Sequence, residues 1–420
     1  MQPLSTYTFA DPKVMQDPYP YYERLRAEDP VHFDEGIRTW LVTRHEDILT
    51  AARNTQVFSD EMKVSKSIRS PFQAEVEEYM QREGFMVLDP ADSFKIDGEV
   101  HTRRRKLVSH AFTGPNVAAM ESKVAEICRD KAAAFLSRGE ADLVKEYAMP
   151  IPILVICDAL GLPMDHVEEI SRGADAMVAQ IGAGASREEA YRRANDVMQL
   201  HRFTKRAIEE RRLKPGPDLI SQIVHARIDD AQLNDRELMS IATTALAGGV
   251  DTTRNGIAFG LHALATRPDL LARLRASKEQ DKEIGRFNEE TLRFYTPVPQ
   301  LPRITTQETV LQGKTIPKGA FVMLCWASGN RDASRFAEPD KFDMDRTALN
   351  QHVAFGTGVH FCVGAMLARQ EMKCAIREIV NKVESIELAV GADKLDLSNS
   401  FIILRGLKSL PVRFRRTHLA

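Results

Sequence analysis

The residues best suited to chemistry lie in two short runs. The first is Phe355-Gly356-Thr357-Gly358-Val359-His360-Phe361-Cys362-Val363-Gly364, followed by a stretch that reads as helix from Ala365 to about Lys382. Cys362 then stands at a helix N-terminus, where backbone N–H groups and the helix dipole favour a thiolate. Gly356 and Gly358 allow a tight loop whose amides turn toward the sulfur. Gly364 lets a flat ligand approach, Phe355 shields the sulfur from water, and His360 supplies a cation or donor. Such a sulfur serves as a nucleophile, as a metal ligand or as a buried structural cysteine. A nucleophile would want a positioned general base, and His360 stands alone, with no third group to orient it. As an axial ligand to haem iron, a thiolate pushes electron density onto the metal and favours O–O cleavage.

The second run is Gly248-Gly249-Val250-Asp251-Thr252-Thr253. It lies in the middle of a segment that starts at Asn234 and Glu237 and stops before Pro268, about 32 residues or about 48 Å of helix at 1.5 Å per residue. Each mid-helix glycine costs roughly 1 kcal/mol relative to alanine. Asp251, Thr252 and Thr253 are weak helix formers that bond to nearby backbone. Two readings follow. One is a single helix weakened at its centre, where it carries an acid and a hydroxyl. The other is two helices joined at a Gly-Gly turn capped by Asp251.

The elements that must hold these runs are mostly helical. Pro20 begins a helix to about Ala27. Val31–Phe33 and Thr39–Val42 read as a strand pair about Asp34-Glu35-Gly36. Thr43-Arg44-His45-Glu46 reads as a capping box with a helix from Arg44. Pro71–Glu83 is a further helix within residues 60–98, a long excursion of the kind that forms functional lids. Most of Val100–Ala265 is helix. After Val298 the pattern turns to short strands, and Ser400–Leu404 pairs with Leu410–Phe414. The fold class is mainly α with a minor β region. The length alone would suggest two or three domains of about 150 residues, but no linker is evident, and one domain over residues 1–420 is expected.

Composition narrows the function. The 420 residues carry 57 Lys and Arg against 59 Asp and Glu, a formal charge of −2, with 43% hydrophobic and 28% charged residues. This is an ordinary globular balance, and it excludes a disordered chain and any general case for nucleic-acid binding. The start shows no signal-peptide pattern, and no apolar run approaches a membrane span. Cys128, Cys157, Cys325, Cys362 and Cys374 are scattered without CxxC spacing, which argues against a disulfide framework or a zinc site. A cytoplasmic monomer with no membrane contact is expected.

The cysteine run resembles the FGxGxHxCxG signature of cytochrome P450, the haem-thiolate monooxygenases; Phe355, Gly356, Gly358, His360, Cys362 and Gly364 all match. Other motifs fall in the family's order, so that the resemblance spans about Pro18 to Phe414. Glu290 and Arg293 resemble the ExxR pair, and Arg346 its later partner, a set that supports the haem loop. Asn330-Arg331-Asp332 and Glu338-Pro339-Asp340 resemble the usual surroundings. Gly248 to Thr253 resembles the oxygen-activation motif, which favours one unbroken central helix.

The resemblance implies haem b between the central helix and the cysteine-loop helix, with Cys362 as axial ligand. It implies His101, Arg105 and Arg303 as partners of the haem carboxylates, with Arg303 just after a strand Val298–Leu301; His352 is a further candidate. Asp251 would relay protons, and Thr252 would position oxygen and its water. Thr244, Ala245, Gly248, Val298, Leu301, Phe401, Ile402 and part of residues 84–98 would line a pocket for a hydrophobic small molecule such as a terpenoid, steroid, fatty acid or aromatic compound. No flavin or iron–sulfur module is evident in the chain, so a ferredoxin with its reductase is the expected electron donor. The basic run Arg103 to Lys106 is expected to dock an acidic partner of that kind; the family often has an apolar residue at the position of Arg104. Rival readings are a peroxide-driven haem-thiolate peroxygenase, a non-catalytic haem sensor, and a cysteine hydrolase using Cys362 and His360.

Overall fold

The computed structural model describes residues 3–61, 71–179, 185–228, 231–400 and 403–417. The chain divides into two compact units. One comprises Met1–Asp60, Glu121–Ile151 and Thr252–Ala420, the other Glu61–Met120 and Pro152–Asp251. Helices dominate, with small sheets in the first unit. No helix among the described residues is long and apolar enough to cross a membrane.

The main sheet of the first unit runs Val31–Asp34, Thr39–Val42, Phe321–Leu324, Leu301–Thr305, Phe58–Ser59. The first two strands form the expected hairpin, with Val31 opposite Val42. Its turn is held by Asp34, whose Oδ1 accepts from the Gly36 and Ile37 amides at 3.0 and 3.3 Å. Val31, Val42, Val322 and Leu324 are fully buried and meet Ile48 and Trp326 in one core. Each such side chain contributes roughly 1.5–3 kcal/mol by leaving water. The helix after the hairpin begins at His45 rather than Arg44, and Thr43 does not cap it. The Thr43 hydroxyl donates instead to the Pro30 carbonyl at 3.0 Å. The His45 amide donates to Asp332 Oδ2 at 2.8 Å, so the cap comes from 287 positions away.

The central helix is continuous from Asp235 to Thr266, which removes the two-helix alternative. Its start is a reciprocal cap: the Glu237 amide donates to Asn234 Oδ1 at 2.9 Å, and the Asn234 amide to Glu237 Oε2 at 3.0 Å. The boundary between the two units falls inside this helix, between Asp251 and Thr252. Its C-terminal half packs on the cysteine-loop helix, Ala365–Lys382, at two small residues. A Cβ at Gly256 would lie 2.9 Å from the Met372 sulfur, and one at Gly260 would lie 3.0 Å from Ile376 Cδ1. Spaced four apart, these glycines share a face and bring the helix axes close.

The C-terminal strands pair differently from expectation. Leu397–Ser400 pairs with Leu404–Leu407, while Pro411–Arg416 lies between Val383–Leu388 and Glu140–Asp142. Val412 and Phe414 are buried, and Phe414 meets Phe135 edge to face at 5.8 Å, so the alternating apolar side of this strand fixes its place. In the second unit, Val167–Ala179 packs along Arg187–Leu213, and a Cβ at Gly173 would lie 2.6 Å from that of Leu200. Gln73–Arg82, Gly98–Ser109 and the first half of the central helix complete its main framework.

Candidate functional site

The cysteine loop is wound by its glycines. Gly356 and Gly358 have φ of 70° and 71°, a region that other residues enter only with strain. The Phe361 amide donates to the Gly358 carbonyl at 3.1 Å and the Cys362 amide to the Phe355 carbonyl at 3.0 Å, closing the loop back on itself. The helix begins three residues later at Ala365, with Gly364 as its N-cap. Among the described residues, a Cβ at Gly364 would meet nothing within 4 Å, so space adjoins the helix start beside Cys362. Cys362 is exposed and the other four cysteines are buried. Burial pushes the Cys157 and Cys374 thiols up to about 12 and about 11, and Cys128 and Cys325 further still. Those four are held neutral and inert, which leaves Cys362 as the exposed cysteine. Phe355 packs beneath the Arg369 guanidinium, 4.5 Å from its ring centre, and lies 6.3 Å from the Phe361 ring.

The loop stands on a braced foundation. Glu290 and Arg293, three residues apart on the helix Gln280–Tyr295, form two bonds of 2.7 Å with both side chains fully buried. Arg293 also donates to the carbonyls of Asn330 and Pro339 at 2.8 Å and of Lys341 at 3.0 Å. Glu290 Oε1 accepts from Arg346 Nε at 3.2 Å and from the Asp343 amide at 2.7 Å. Arg346 closes the set on the carbonyls of Glu338 and Lys341, each at 2.6 Å. Asn330 passes this order to the loop, since its Oδ1 accepts from the Val353 amide at 2.7 Å.

Glu289 adds a second tie. It binds Arg369 on the cysteine-loop helix at 2.6 and 2.8 Å and His352 Nε2 at 3.1 Å. Burial alone would raise the Glu289 carboxyl; Arg369 and His352 outweigh it and take it down to about 2. The other ring nitrogen of His352 accepts from the Ala354 amide at 3.2 Å. Both nitrogens are thus used within the protein, and His352 braces the loop rather than offering a donor to a ligand. In the sequence Glu289 is one of two adjacent glutamates, and no local pattern marks it.

Arg303 lies within the strand Leu301–Thr305, not after a strand ending at Leu301, and is 3% exposed. Its Nη1 donates to Asp60 Oδ1 and to the Pro302 carbonyl, both at 2.8 Å. His360 Nδ1 lies 3.6 Å from the other oxygen of Asp60. The structure thus brings two expected site residues together around an acid that the sequence did not single out. Val298 and Leu301 are half-buried against the core that contains Trp326.

In the second unit, His101 and Arg105 flank one ring. Phe94 lies 6.5 Å from the His101 ring and 5.9 Å from the Arg105 guanidinium. Thr244 and Ala245 are half-buried and Gly248 is exposed, whereas Leu238, Ile241 and Leu246 are buried. Among the described residues, a Cβ at Gly248 or Gly249 would meet nothing within 4 Å. Asp251 and Thr252 continue this half-exposed strip, and Thr253 turns inward. Phe401 and Ile402 lie outside the described residues.

The basic run Arg103 to Lys106 is not a free patch. Arg104 is 8% exposed; its Nε donates to Glu237 Oε1 at 2.8 Å and its Nη1 to the Ser93 carbonyl at 3.0 Å and to that of Ala91. Arg103 binds the same Glu237 oxygen and the Gln232 carbonyl. Lys106 alone of this run is fully on the surface. A docking patch built on Arg103 and Arg104 is therefore withdrawn: their charges are spent inside the unit.

Comparison with known proteins agrees with this construction. Residues 185–401 match the family model described as Cytochrome P450. The chain is 35% identical to a vitamin D(3) 25-hydroxylase of Pseudonocardia autotrophica over 94% of each chain. It is 31% identical to the 6-deoxyerythronolide B hydroxylase of Saccharopolyspora erythraea over 94% of this chain and 96% of that one. Among solved structures, the cytochrome P450 CYP109E1 of Bacillus megaterium in complex with testosterone superimposes with a TM-score of 0.80 at 28% identity, over 94% of this chain and 99% of that one.

Proposed function

The chain belongs to the cytochrome P450 family of haem-thiolate oxidoreductases, and we propose that it inserts one oxygen atom from O2 into a hydrophobic organic molecule with electrons from a separate donor. The observation that carries this reading is exposed Cys362, set on a glycine-wound loop at a helix N-terminus and braced from below by Glu290 and Arg293. The residues present fit haem b. The donor is a lone sulfur, which suits a metal whose macrocycle supplies the other ligands. Among the described residues, open space adjoins Gly364, and exposed Phe361 and Met366 flank the cysteine. Arg303 offers a buried guanidinium whose Nε has no hydrogen-bond partner among the described residues.

Cys362 would hold the iron through its sulfur, and Arg303, His360, His101 and Arg105 would meet the haem carboxylates. Bound haem would supply the activation of O2 and the oxidising power. The chain's own part is binding, exclusion of water and proton delivery. The Asp251 carboxylate would take protons from solvent and pass them inward. The Thr252 hydroxyl, one residue on, would hold by hydrogen bonds the water that receives them, in the room left by Gly248 and Gly249.

Thr244, Ala245, Gly248, Val298 and Leu301 offer small or apolar surface for the substrate. Relatives named for vitamin D(3) and 6-deoxyerythronolide B, and a neighbour holding testosterone, support a large, mostly apolar molecule. A ferredoxin-type protein would deliver the electrons to a monomer. The neutral buried thiols suit a reducing, cytoplasmic setting.

Turnover tests this reading. With a ferredoxin, its reductase and O2, a sterol-like substrate gains one oxygen atom derived from O2, and nothing forms without reductant. Product formed equally well with peroxide alone would make the protein a peroxygenase instead.

A further inference from the structure

Asp60 is a buried acid outside the cysteine loop and the central helix. It follows the edge strand Phe58–Ser59, which pairs antiparallel with Leu301–Thr305: Phe58 faces Thr305 and Ser59 faces Ile304. The next step in that register sets Asp60 against Arg303. The register is what delivers a carboxylate from the start of the chain to an arginine 243 positions later. The side chains of Asp60, Arg303 and His360 are 4%, 3% and 6% exposed. One carboxylate oxygen takes the Arg303 Nη1 bond at 2.8 Å, and the other faces His360 at 3.6 Å.

Burying such a pair is expensive. Desolvation offsets most of the attraction, so stability alone is a poor reason for it. What the pair supplies is position: an arginine's long side chain is held at Nη1, while its Nε has no hydrogen-bond partner among the described residues. It also supplies charge, since a fixed anion sits between two residues that would serve the haem.

We propose that Asp60 is a positioning residue for the haem edge: it holds Arg303 and His360 in place, and its fixed negative charge lowers the potential at which the iron takes an electron. The proposal rests on the haem-thiolate reading above. Charges in a low-dielectric interior act strongly and are little screened by salt. Removing an anion there favours the reduced, more negative state.

The test uses the haem-loaded full-length protein and its Asp60→Asn and Asp60→Glu variants. The readouts are the carbon monoxide difference spectrum of the reduced protein, the midpoint potential by spectroelectrochemistry, and the rate of haem transfer to apomyoglobin. Asp60→Asn keeps the red-shifted band, moves the potential to a more positive value and loses haem severalfold faster. Asp60→Glu keeps the charge and stays near the wild-type potential. An Asp60→Asn protein with a lower melting temperature but an unchanged potential would overturn the proposal, because a packing role moves only the former. If Asp60→Asn holds no haem, Asp60→Glu decides: recovery of haem and potential supports the proposal, and failure to recover overturns it. A wild-type protein without the red-shifted band overturns the haem-thiolate reading itself, a result distinct from an unchanged potential in the variant.

Discussion

Glu290 and Glu237 are both buried carboxylates shared by two arginines and a backbone amide, yet they work in different settings. Glu290 meets Arg293, Arg346 and the Asp343 amide; Glu237 meets Arg104, Arg103 and the Asn234 amide. The side chains of Glu290 and Arg293 are 0% exposed, whereas that of Arg103 is 33% exposed. Arg293 and Arg346 tie a helix to the irregular backbone of residues 330–341, on which the cysteine loop stands. Arg104 ties a different irregular stretch, the carbonyls of Ala91 and Ser93, to the start of the central helix. The same chemistry thus serves two ends. Deep in one unit it fixes a foundation; nearer the surface of the other it fixes a segment expected to border substrate.

The comparison predicts unequal damage. The largest loss follows Glu290→Gln, which leaves Arg293 as an uncompensated buried cation. About 4–5 kcal/mol is expected for breaking such a pair. That approaches the whole stability of many domains, so folded haem-loaded protein should be nearly absent from the purified yield. Recovery at wild-type levels would break the comparison.

Glu237→Gln should cost less, about 2–3 kcal/mol, because Arg103 keeps contact with water. The fold should survive in denaturant titrations. Hydrogen exchange should rise around residues 87–93 and leave the cysteine loop unchanged. Equal loosening of both regions would mean that the two networks are one.

The smallest effect is in pH. Burial would raise the Glu237 carboxyl, but the Asn234 amide, Arg104 and Arg103 together take it below its ordinary value. A group depressed in the folded state lends stability above its unfolded pKa, about 4.3 for glutamate, and loses it as pH falls through the folded value. The gap between wild type and Glu237→Gln should therefore be constant near neutrality and close only below about pH 4.

The two networks were not equally legible. Glu290 and Arg293 lie three residues apart, a helical spacing that reads directly, and the cysteine loop is a single run of ten residues. The single central helix, its Asn234–Glu237 start and the first hairpin were legible for the same reason, because local pattern decides them. Glu237 read only as a cap, and Arg103 and Arg104 as a surface patch, because their partner lies 134 and 133 positions away. Asp60 and Arg303 are 243 positions apart, and Asp332 caps a helix across 287. Such pairs are set by topology and register, which no local pattern carries. The C-terminal strands failed likewise: their alternation was visible, but their partners were chosen by which neighbour could bury Val412 and Phe414. Gly256 and Gly260 did carry a signal in their spacing of four, readable as a close helix crossing.

The central claim is that Cys362 presents a thiolate to haem iron, and the carbon monoxide difference spectrum of the reduced, purified protein tests it most directly. A strongly red-shifted Soret band in the wild type, lost in Cys362→Ala, is the predicted result. Haem bound without that shift, or no haem at all, would contradict it.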